Sequence, residues 1–339
     1  MMNKVLSCLL MALFTVLSIN AQETQPNDEI NVVKVRDSIY MLQGRGGNIG
    51  VSIGEDGIFM IDDKFASSTP NILNALLTLS NASVQFVVNT HHHGDHTGGN
   101  INLRGQGATI FAHENVRSRL IQVAKEKYMA KVDKAAEEAR ESGVTDEKAD
   151  LRKASAMERM EEELDLDPHS LPMVTFGNNL HFYYNGEEIV VFHVNRAHTD
   201  GDVMVYFTES NVLHTGDAYV KNAYPFIDSK NGGSFTGYIS SLSRVMSMID
   251  EETRIIPGHG SVATMADVRY TLSMMNFVKD RIAFHLVSGK TKDEIMAMSE
   301  LTAEFDQKGF GDGFINRERF LNSVFPELDK KFSKQNKGN

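Results

Sequence analysis

The chain has 339 residues, 41% of them hydrophobic and 23% charged, with a formal net charge of -11 and a single cysteine. That is an ordinary globular composition, long enough to bury a substantial core. The acidic balance argues against an electrostatic footprint for nucleic acid and leaves small molecules as the expected partners.

Residues 1–21 carry Lys4, then a mostly apolar run, then Ser18-Ile19-Asn20-Ala21. A charged start, an apolar middle and a small-residue end predict a secretory signal peptide cleaved after Ala21, hence a periplasmic or secreted protein. The run falls short of the roughly 20 residues that span a bilayer, and no other uncharged stretch approaches that length, so no stable membrane insertion is expected. Cleavage would remove Cys8, leaving no disulfide, no thiol nucleophile and no cysteine metal ligand.

A polar leader containing Pro26 occupies residues 22–30. Short apolar runs at 39–42, 47–53 and 58–61, separated by glycines and by Glu55-Asp56-Gly57, predict antiparallel strands. Pro70 opens a helix with Ile72, Leu73, Leu76 and Leu79 on one side, and residues 84–88 form the next strand. After a short strand at 109–112, helical spacing runs over 114–141 and stops at Gly143, and a second amphipathic piece covers 146–164. This helical insertion, about 114–166, reads as a solvated surface hairpin, with a lid or a dimer contact as alternatives. Strand patterns return at 180–184, 188–194, 203–207 and 212–214, the first two joined by the hairpin signal Asn185-Gly186. A helix at 236–249 and a strand at 254–256 precede a helical tail, residues 266–339, in which Thr291 and Glu294 form a capping box. Strands grouped in each half with helices between them imply a layered α/β sandwich.

The stretch with the densest chemistry is Thr-His-His-His-Gly-Asp-His at 90–96, which places His91, His93, Asp95 and His96 close together. Imidazole nitrogen and carboxylate oxygen are the donors zinc takes at roughly 2.0–2.2 Å, so such a cluster suits a metal centre. On an extended backbone His91 and His93 share a face and can grip one ion while His92 points elsewhere. Beyond Gly94 the chain can turn and offer Asp95 and His96 to a second ion. Further ligand types occur where loops leave strands: His198 in Ala-His-Thr-Asp-Gly-Asp, Asp217 in His-Thr-Gly-Asp, and His259 in Pro-Gly-His-Gly.

In this order and spacing the residues resemble the metallo-β-lactamase-fold superfamily, whose HxHxDH motif matches His91, His93, Asp95 and His96, over roughly residues 33–263. The resemblance implies a four-layer αββα sandwich with the site at one edge, in a domain of about 31–265 carrying the helical tail packed on it. It implies two zinc ions, with iron or manganese left open: one held by His91, His93 and His198, the other by Asp95, His96 and His259, with Asp217 bridging. Asp62 matches a family aspartate that orients a ligand histidine from behind. The chemistry implied is hydrolysis of a small ester, thioester, lactone or lactam by a metal-bridging hydroxide available near neutral pH. Asp95 is expected to orient that nucleophile and relay its proton. Tyr219, Lys221, Tyr224 and Phe226 are expected to line the substrate mouth, with Lys221 pairing a substrate carboxylate.

The chain also departs from the family pattern. The insertion lengthens the interval between His96 and His198, and Asp217 stands where the best-known β-lactamase subclass has a cysteine. A bridging aspartate is similar to the thioesterase and lactonase branches, whereas a secretory signal suits a β-lactamase. Two alternatives stay open: a true β-lactamase, and an iron-dependent oxidoreductase of the same fold. His92, His113 and His214 are expected to be structural or supporting, and Gly-Phe-Gly-Asp-Gly-Phe at 309–314 reads as a turn with Phe310 and Phe314 packed inward.

Overall fold

The computed structural model describes residues 29–333, so the expected signal peptide, all but the end of the leader and the last residues of the tail lie outside the described residues. One sheet has seven strands in sequential order: β1 (Asn31–Arg36), β2 (Ile39–Gln43), β3 (Ile49–Gly54), β4 (Gly57–Ile61), β5 (Val84–Asn89), β6 (Thr109–His113) and β7 (Val174–Phe176). The first four form an antiparallel meander, and β4 to β7 run parallel. Parallel neighbours need crossovers, and helices supply them. These are α1 (Thr69–Leu77), then α2 (Gly94–Thr97) and α3 (Asn100–Gly105), then α4 (Glu114–Glu141), α5 (Asp146–Glu158) and α6 (Met160–Glu163). The helical insertion is therefore an elongated β6–β7 crossover.

The second sheet contains β8 (Asn179–Tyr184), β9 (Glu187–His193), β10 (Val203–Phe207), β11 (Val212–His214) and β12 (Arg254–Ile256), in the order β12-β11-β10-β9-β8. Only β11 and β12 pair in parallel, connected through α7 (Phe235–Met248). Asn185 and Gly186 both adopt positive φ, 53° and 82°, as the tight β8–β9 hairpin requires. The tail follows as α8 (Met265–Val287), α9 (Lys292–Met296), α10 (Ala303–Asp306) and α11 (Arg317–Phe332).

Strand alternation sorts the apolar side chains into layers. Met41, Phe59, Ile61 and Val88 face Ile189, Val191, Val203, Val205 and Phe207 between the sheets. Their neighbours Leu42, Met60 and Val87 turn outward onto Ile72 and Leu76 of α1 and Leu103 of α3. On the other side Phe192, Met204 and Leu213 turn out onto Leu242, Met275 and Phe320 of α7, α8 and α11. The result is the expected αββα sandwich, with the helical tail built into one outer layer. Glu327 of α11 ties that layer down, accepting hydrogen bonds from the backbone N–H groups of Phe235 and Thr236 at 2.8 and 3.1 Å and so capping the start of α7.

The insertion divides into two parts. Its far end is the exposed, charge-laced hairpin expected, held by pairs such as Arg140–Asp150 and Lys153–Asp133. Its root reaches towards the ligand loops. Arg119 of α4 clamps Asp200 through Nε–Oδ1 at 3.2 Å and Nη2–Oδ2 at 2.6 Å, and Asn115 donates to the Asp200 carbonyl at 2.8 Å. A fork of this kind fixes orientation as well as distance, and here it braces the loop that carries His198.

Candidate metal centre

Strand β5 delivers its end into the 90–96 loop, and the parallel neighbour β4 ends beside it at Asp62, which sits in the left-handed region at φ 62°. That conformation aims the Asp62 carboxylate into the loop. Oδ1 accepts from the Thr90 N–H at 2.7 Å, while Oδ2 accepts from the Thr90 hydroxyl at 2.8 Å and contacts His96 Nδ1 at 2.7 Å. The Thr90 hydroxyl oxygen also lies 3.1 Å from His91 Nδ1. One buried carboxylate thus fixes two imidazoles, both presenting Nε2 to the site. Asp62, expected to orient a ligand histidine, is in contact with the His96 ring and reaches His91 through Thr90.

The free nitrogens converge. His93 Nδ1 lies 3.1 Å from His91 Nε2 and 2.9 Å from His198 Nε2. Asp217 follows β11 with Oδ2 at 3.9 Å from His91 Nε2 and 3.7 Å from His198 Nε2. Its other oxygen, Oδ1, lies 3.3 Å from His96 Nε2 and 3.4 Å from His259 Nε2. Asp95 Oδ2 closes this second group at 3.7 Å from His96 Nε2 and 3.4 Å from His259 Nε2. All seven expected ligands therefore come together as two groups, His91, His93, His198 and Asp217 in one and Asp95, His96 and His259 in the other, with the second oxygen of Asp217 also facing the latter.

These groups suit divalent ions. Tetrahedral zinc with bonds of 2.0–2.2 Å separates its ligand atoms by about 3.3–3.6 Å, close to the separations observed. His96 Nε2 and Asp217 Oδ1 are buried without a hydrogen-bond partner, an arrangement that is costly unless something binds there. Burial, followed by the neighbouring His96, holds His91 well below the ordinary histidine range. Burial pushes His198 down to about 4. Both imidazoles are thereby kept neutral, the form that donates to a metal.

Each remaining nitrogen on the first group has its own support. His93 Nε2 pairs with Asp228 Oδ2 at 3.0 Å, and His198 Nδ1 donates to the Phe226 carbonyl at 2.7 Å. Burial raises the Asp228 carboxyl, but the bonds from His93 and Asn231 outweigh it and hold the group well below its usual range. Asp202 accepts from the His198 N–H at 2.7 Å and from Thr199, fixing the turn that carries the ligand. Neither Asp228 nor Asp202 was expected from the sequence. Asp202 lies within the motif that flags His198, while nothing local to Asp228 marks it.

Close approach also fixes two glycines. A Cβ on Gly47 would lie 2.1 Å from the His96 ring, and one on Gly258 would lie 2.0 Å from Asp217 Oδ1. The buried Lys64 ammonium donates to the Gly47 carbonyl, pinning that loop over His96. Two of the three supporting histidines accept hydrogen bonds from the backbone beside them. His214 Nδ1 accepts from the Gly216 N–H, and His113 Nδ1 accepts from Asn115 at the start of α4. His92 is buried beside His93 and Asp228.

A cleft of ≈ 710 Å³ opens over Asp95, Asp217, His93 and His259, walled mainly by Phe65, Val220, Tyr224, Phe226, Phe314 and Ile315. The expected mouth residues divide. Phe226 lines the cleft. Tyr219 does not, being buried in the core of the second sheet and its helices. Tyr224 borders the cleft with a ring stacked on Phe320 at 4.6 Å and a hydroxyl donating to Asp306 at 2.6 Å, which makes it a strut to the tail. Lys221 borders it too, but its ammonium donates to the Val262 carbonyl at 2.9 Å and pairs with Asp267 at 3.2 Å. The expected pairing with a substrate carboxylate is corrected accordingly. Phe314 is corrected as well: Phe310 and Ile315 take the inward positions, leaving Phe314 73% exposed on the cleft wall.

Comparison with known proteins agrees with this geometry. The sequence profile described as Metallo-beta-lactamase superfamily matches residues 43–259, and the chain belongs to that superfamily. Among solved structures it is similar to the DIM-1 metallo-beta-lactamase, with a TM-score of 0.52 and 18% identity over 73% of this chain and 97% of that one. It is likewise similar to a metallo-beta-lactamase from Pontibacter korlensis, with a TM-score of 0.52 and 17% identity over 73% of this chain and 99% of that one. At such identities the likeness is one of fold. No curated protein matches the chain. Superfamily membership and the histidine–aspartate clusters together support a metal-dependent hydrolase, in a superfamily that also has non-hydrolase members.

Proposed function

We propose that the protein is a binuclear zinc hydrolase that cleaves an ester, thioester, lactone or lactam bond of a small molecule outside the cytoplasm. The observation that carries this reading is Asp217, whose two carboxylate oxygens face two separate ligand groups. His91, His93 and His198 would hold one ion, and Asp95, His96 and His259 the other. Bound zinc supplies Lewis acidity and lowers the pKa of water to about 7.

The chain's own residues do the rest. Asp95 borders the cleft, so a carboxylate oxygen there can orient the attacking water, take its proton and return it to the departing oxygen, nitrogen or sulfur. Asp62 and Asp228 keep the imidazoles turned with the correct nitrogen inward, leaving little reorganisation for the reaction. The apolar wall keeps bulk water from the reacting carbonyl. The signal-like residues 1–21 support an extracytoplasmic location.

Metal analysis of the purified protein, coupled to a panel of ester, thioester, lactone and lactam substrates, tests the proposal. Two equivalents of zinc and turnover of at least one class are expected. Iron with oxygen consumption and no hydrolysis would instead identify an oxidoreductase, and efficient cephalosporin turnover would identify a true β-lactamase.

A further inference from the structure

We infer that the cleft selects substrates whose group beside the scissile carbonyl is apolar and uncharged, an aryl or alkyl chain, and that Phe314 of the tail determines this specificity together with Phe226. The inference rests on the hydrolase reading above.

The first argument is charge. Lys221 is the only lysine or arginine among the described residues bordering the cleft, and its ammonium is held by Asp267 and the Val262 carbonyl. An anionic substituent laid against the apolar wall could not pair with this ammonium, and the guanidiniums of Arg45 and Arg319 are engaged on the Phe65 and Phe314 ring faces at 4.9 and 4.3 Å. Desolvating an unpaired charge is unfavourable, so the cleft discriminates against one.

The second argument is shape. Phe226 stacks on His93, with centroids 5.9 Å apart and planes at 22°, so apolar surface begins directly beside the ligand cluster. Phe314 continues it, edge-on to Phe226 at 6.2 Å. A phenylalanine left so exposed is held in place on both sides. Phe310 and Ile315 anchor the segment in the core, and Arg319 lies 4.3 Å over the ring while donating to the Phe314 carbonyl at 2.7 Å. The ring is thus presented to the cleft and has apolar surface left for a ligand to cover. Phe314 also lies beyond the matched stretch 43–259, so this part of the wall is a feature of the chain's own tail.

The test compares matched p-nitrophenyl esters of acetate, 4-phenylbutyrate and 4-(4-carboxyphenyl)butyrate on the zinc-loaded protein. Calorimetric binding of the N-methyl amides of the two longer acids accompanies it and does not depend on turnover. We expect kcat/KM for the phenylbutyrate ester to exceed that for its carboxylated partner by on the order of 10-fold or more. Phe314→Ala is expected to reduce the preference for phenylbutyrate over acetate mainly through KM, and to weaken binding of the neutral amide.

Equal or better turnover of the carboxylated ester overturns the inference and leaves the hydrolase reading standing. So does a loss confined to that ester in Lys221→Met. If no ester, thioester, lactone or lactam of the panel is cleaved but the neutral amide still binds more tightly in a Phe314-dependent way, the hydrolase reading fails and the selectivity stands. No turnover together with no amide preference overturns both.

Discussion

The ligand cluster and the aromatic wall meet in one cleft, yet they are held in different ways. Four of the five candidate ligand imidazoles are each held by a hydrogen bond on the nitrogen turned away from the cluster: His91 through Thr90, His96 through Asp62, His93 through Asp228 and His198 through the Phe226 carbonyl. Gly47 and Gly258 leave no room for the rings or carboxylate to shift. The wall is looser. Phe314 is exposed, and its neighbours Phe310 and Ile315 carry the anchoring. A site that must fix charge to within tenths of an ångström is built from mutually constraining buried groups, while one that need only exclude water and offer apolar surface can stand on a single anchored turn. Substitutions in the first region should damage chemistry or folding, and those in the second should change selection alone.

The sharpest break falls on Asp95. Asp95→Ala should lower kcat by about 10²–10⁴-fold, the usual worth of a positioned acid–base group, in a steady-state assay on whichever ester is cleaved. Far-ultraviolet circular dichroism should stay unchanged, because this carboxylate borders the cleft. Undiminished turnover would remove Asp95 from the mechanism, both as the proton carrier and as a needed ligand of the second ion.

Metal removal comes next. Ions bound only by the folded chain stabilise it by about 4 kcal/mol when present at 1,000 times their Kd. Exhaustive chelation should therefore lower the thermal midpoint clearly, and zinc should restore it. The buried, unpartnered His96 Nε2 and Asp217 Oδ1 would otherwise be a standing cost to the fold. A midpoint indifferent to chelator and zinc would count against a resident metal. Gly47→Ala should behave as a partial version of this treatment, since its methyl group would occupy the His96 ring. Equilibrium dialysis should find less than the full zinc complement in that variant.

Asp228→Ala tests support at one remove. Loss of a carboxylate behind a ligand histidine typically costs 10–100-fold in metal affinity or activity, so a decline of about that size is expected in zinc competition titrations. Asp228→Asn, which can still accept a hydrogen bond from His93 Nε2, should recover part of it. Equal losses in both variants would show that charge matters here more than orientation.

This pairing also marks where the sequence could be read. Zinc chemistry restricts its donors to a few residue types at short spacing, so His91, His93, Asp95 and His96 are visible without a structure, and the glycine-flanked His198, Asp217 and His259 complete the pattern. The two layers of strands are equally visible, because strands buried on both faces leave continuous apolar runs such as residues 58–61. Asp228 lies 135 residues from the histidine it orients, on an irregular loop with no periodicity to betray it. Lys221 looked like an anion receptor because its partner Asp267 begins a different helix. In 309–314 a turn offers no fixed period, so which of Phe310, Phe314 and Ile315 points inward depends on packing with α8 and α11 and not on local pattern.

The smallest expected effect is the one that most sharpens the comparison. Phe314→Ala removes a large apolar side chain, and in the core that change costs about 3–5 kcal/mol. Here the ring is 73% exposed, and what it loses is the contact with Phe226 and the Arg319 stack. Exposed positions outside special features shift stability by only about 0.5 kcal/mol, so the urea midpoint should barely move. Phe310→Ala, a few residues earlier on the same turn but buried, should cost several-fold more. If the two variants were equally destabilising, Phe314 would be part of the core after all, and the distinction between a fixed floor and an adjustable wall would not hold. A stable Phe314→Ala protein that has lost only its preference among acyl groups would put that residue's value in what it touches from solution.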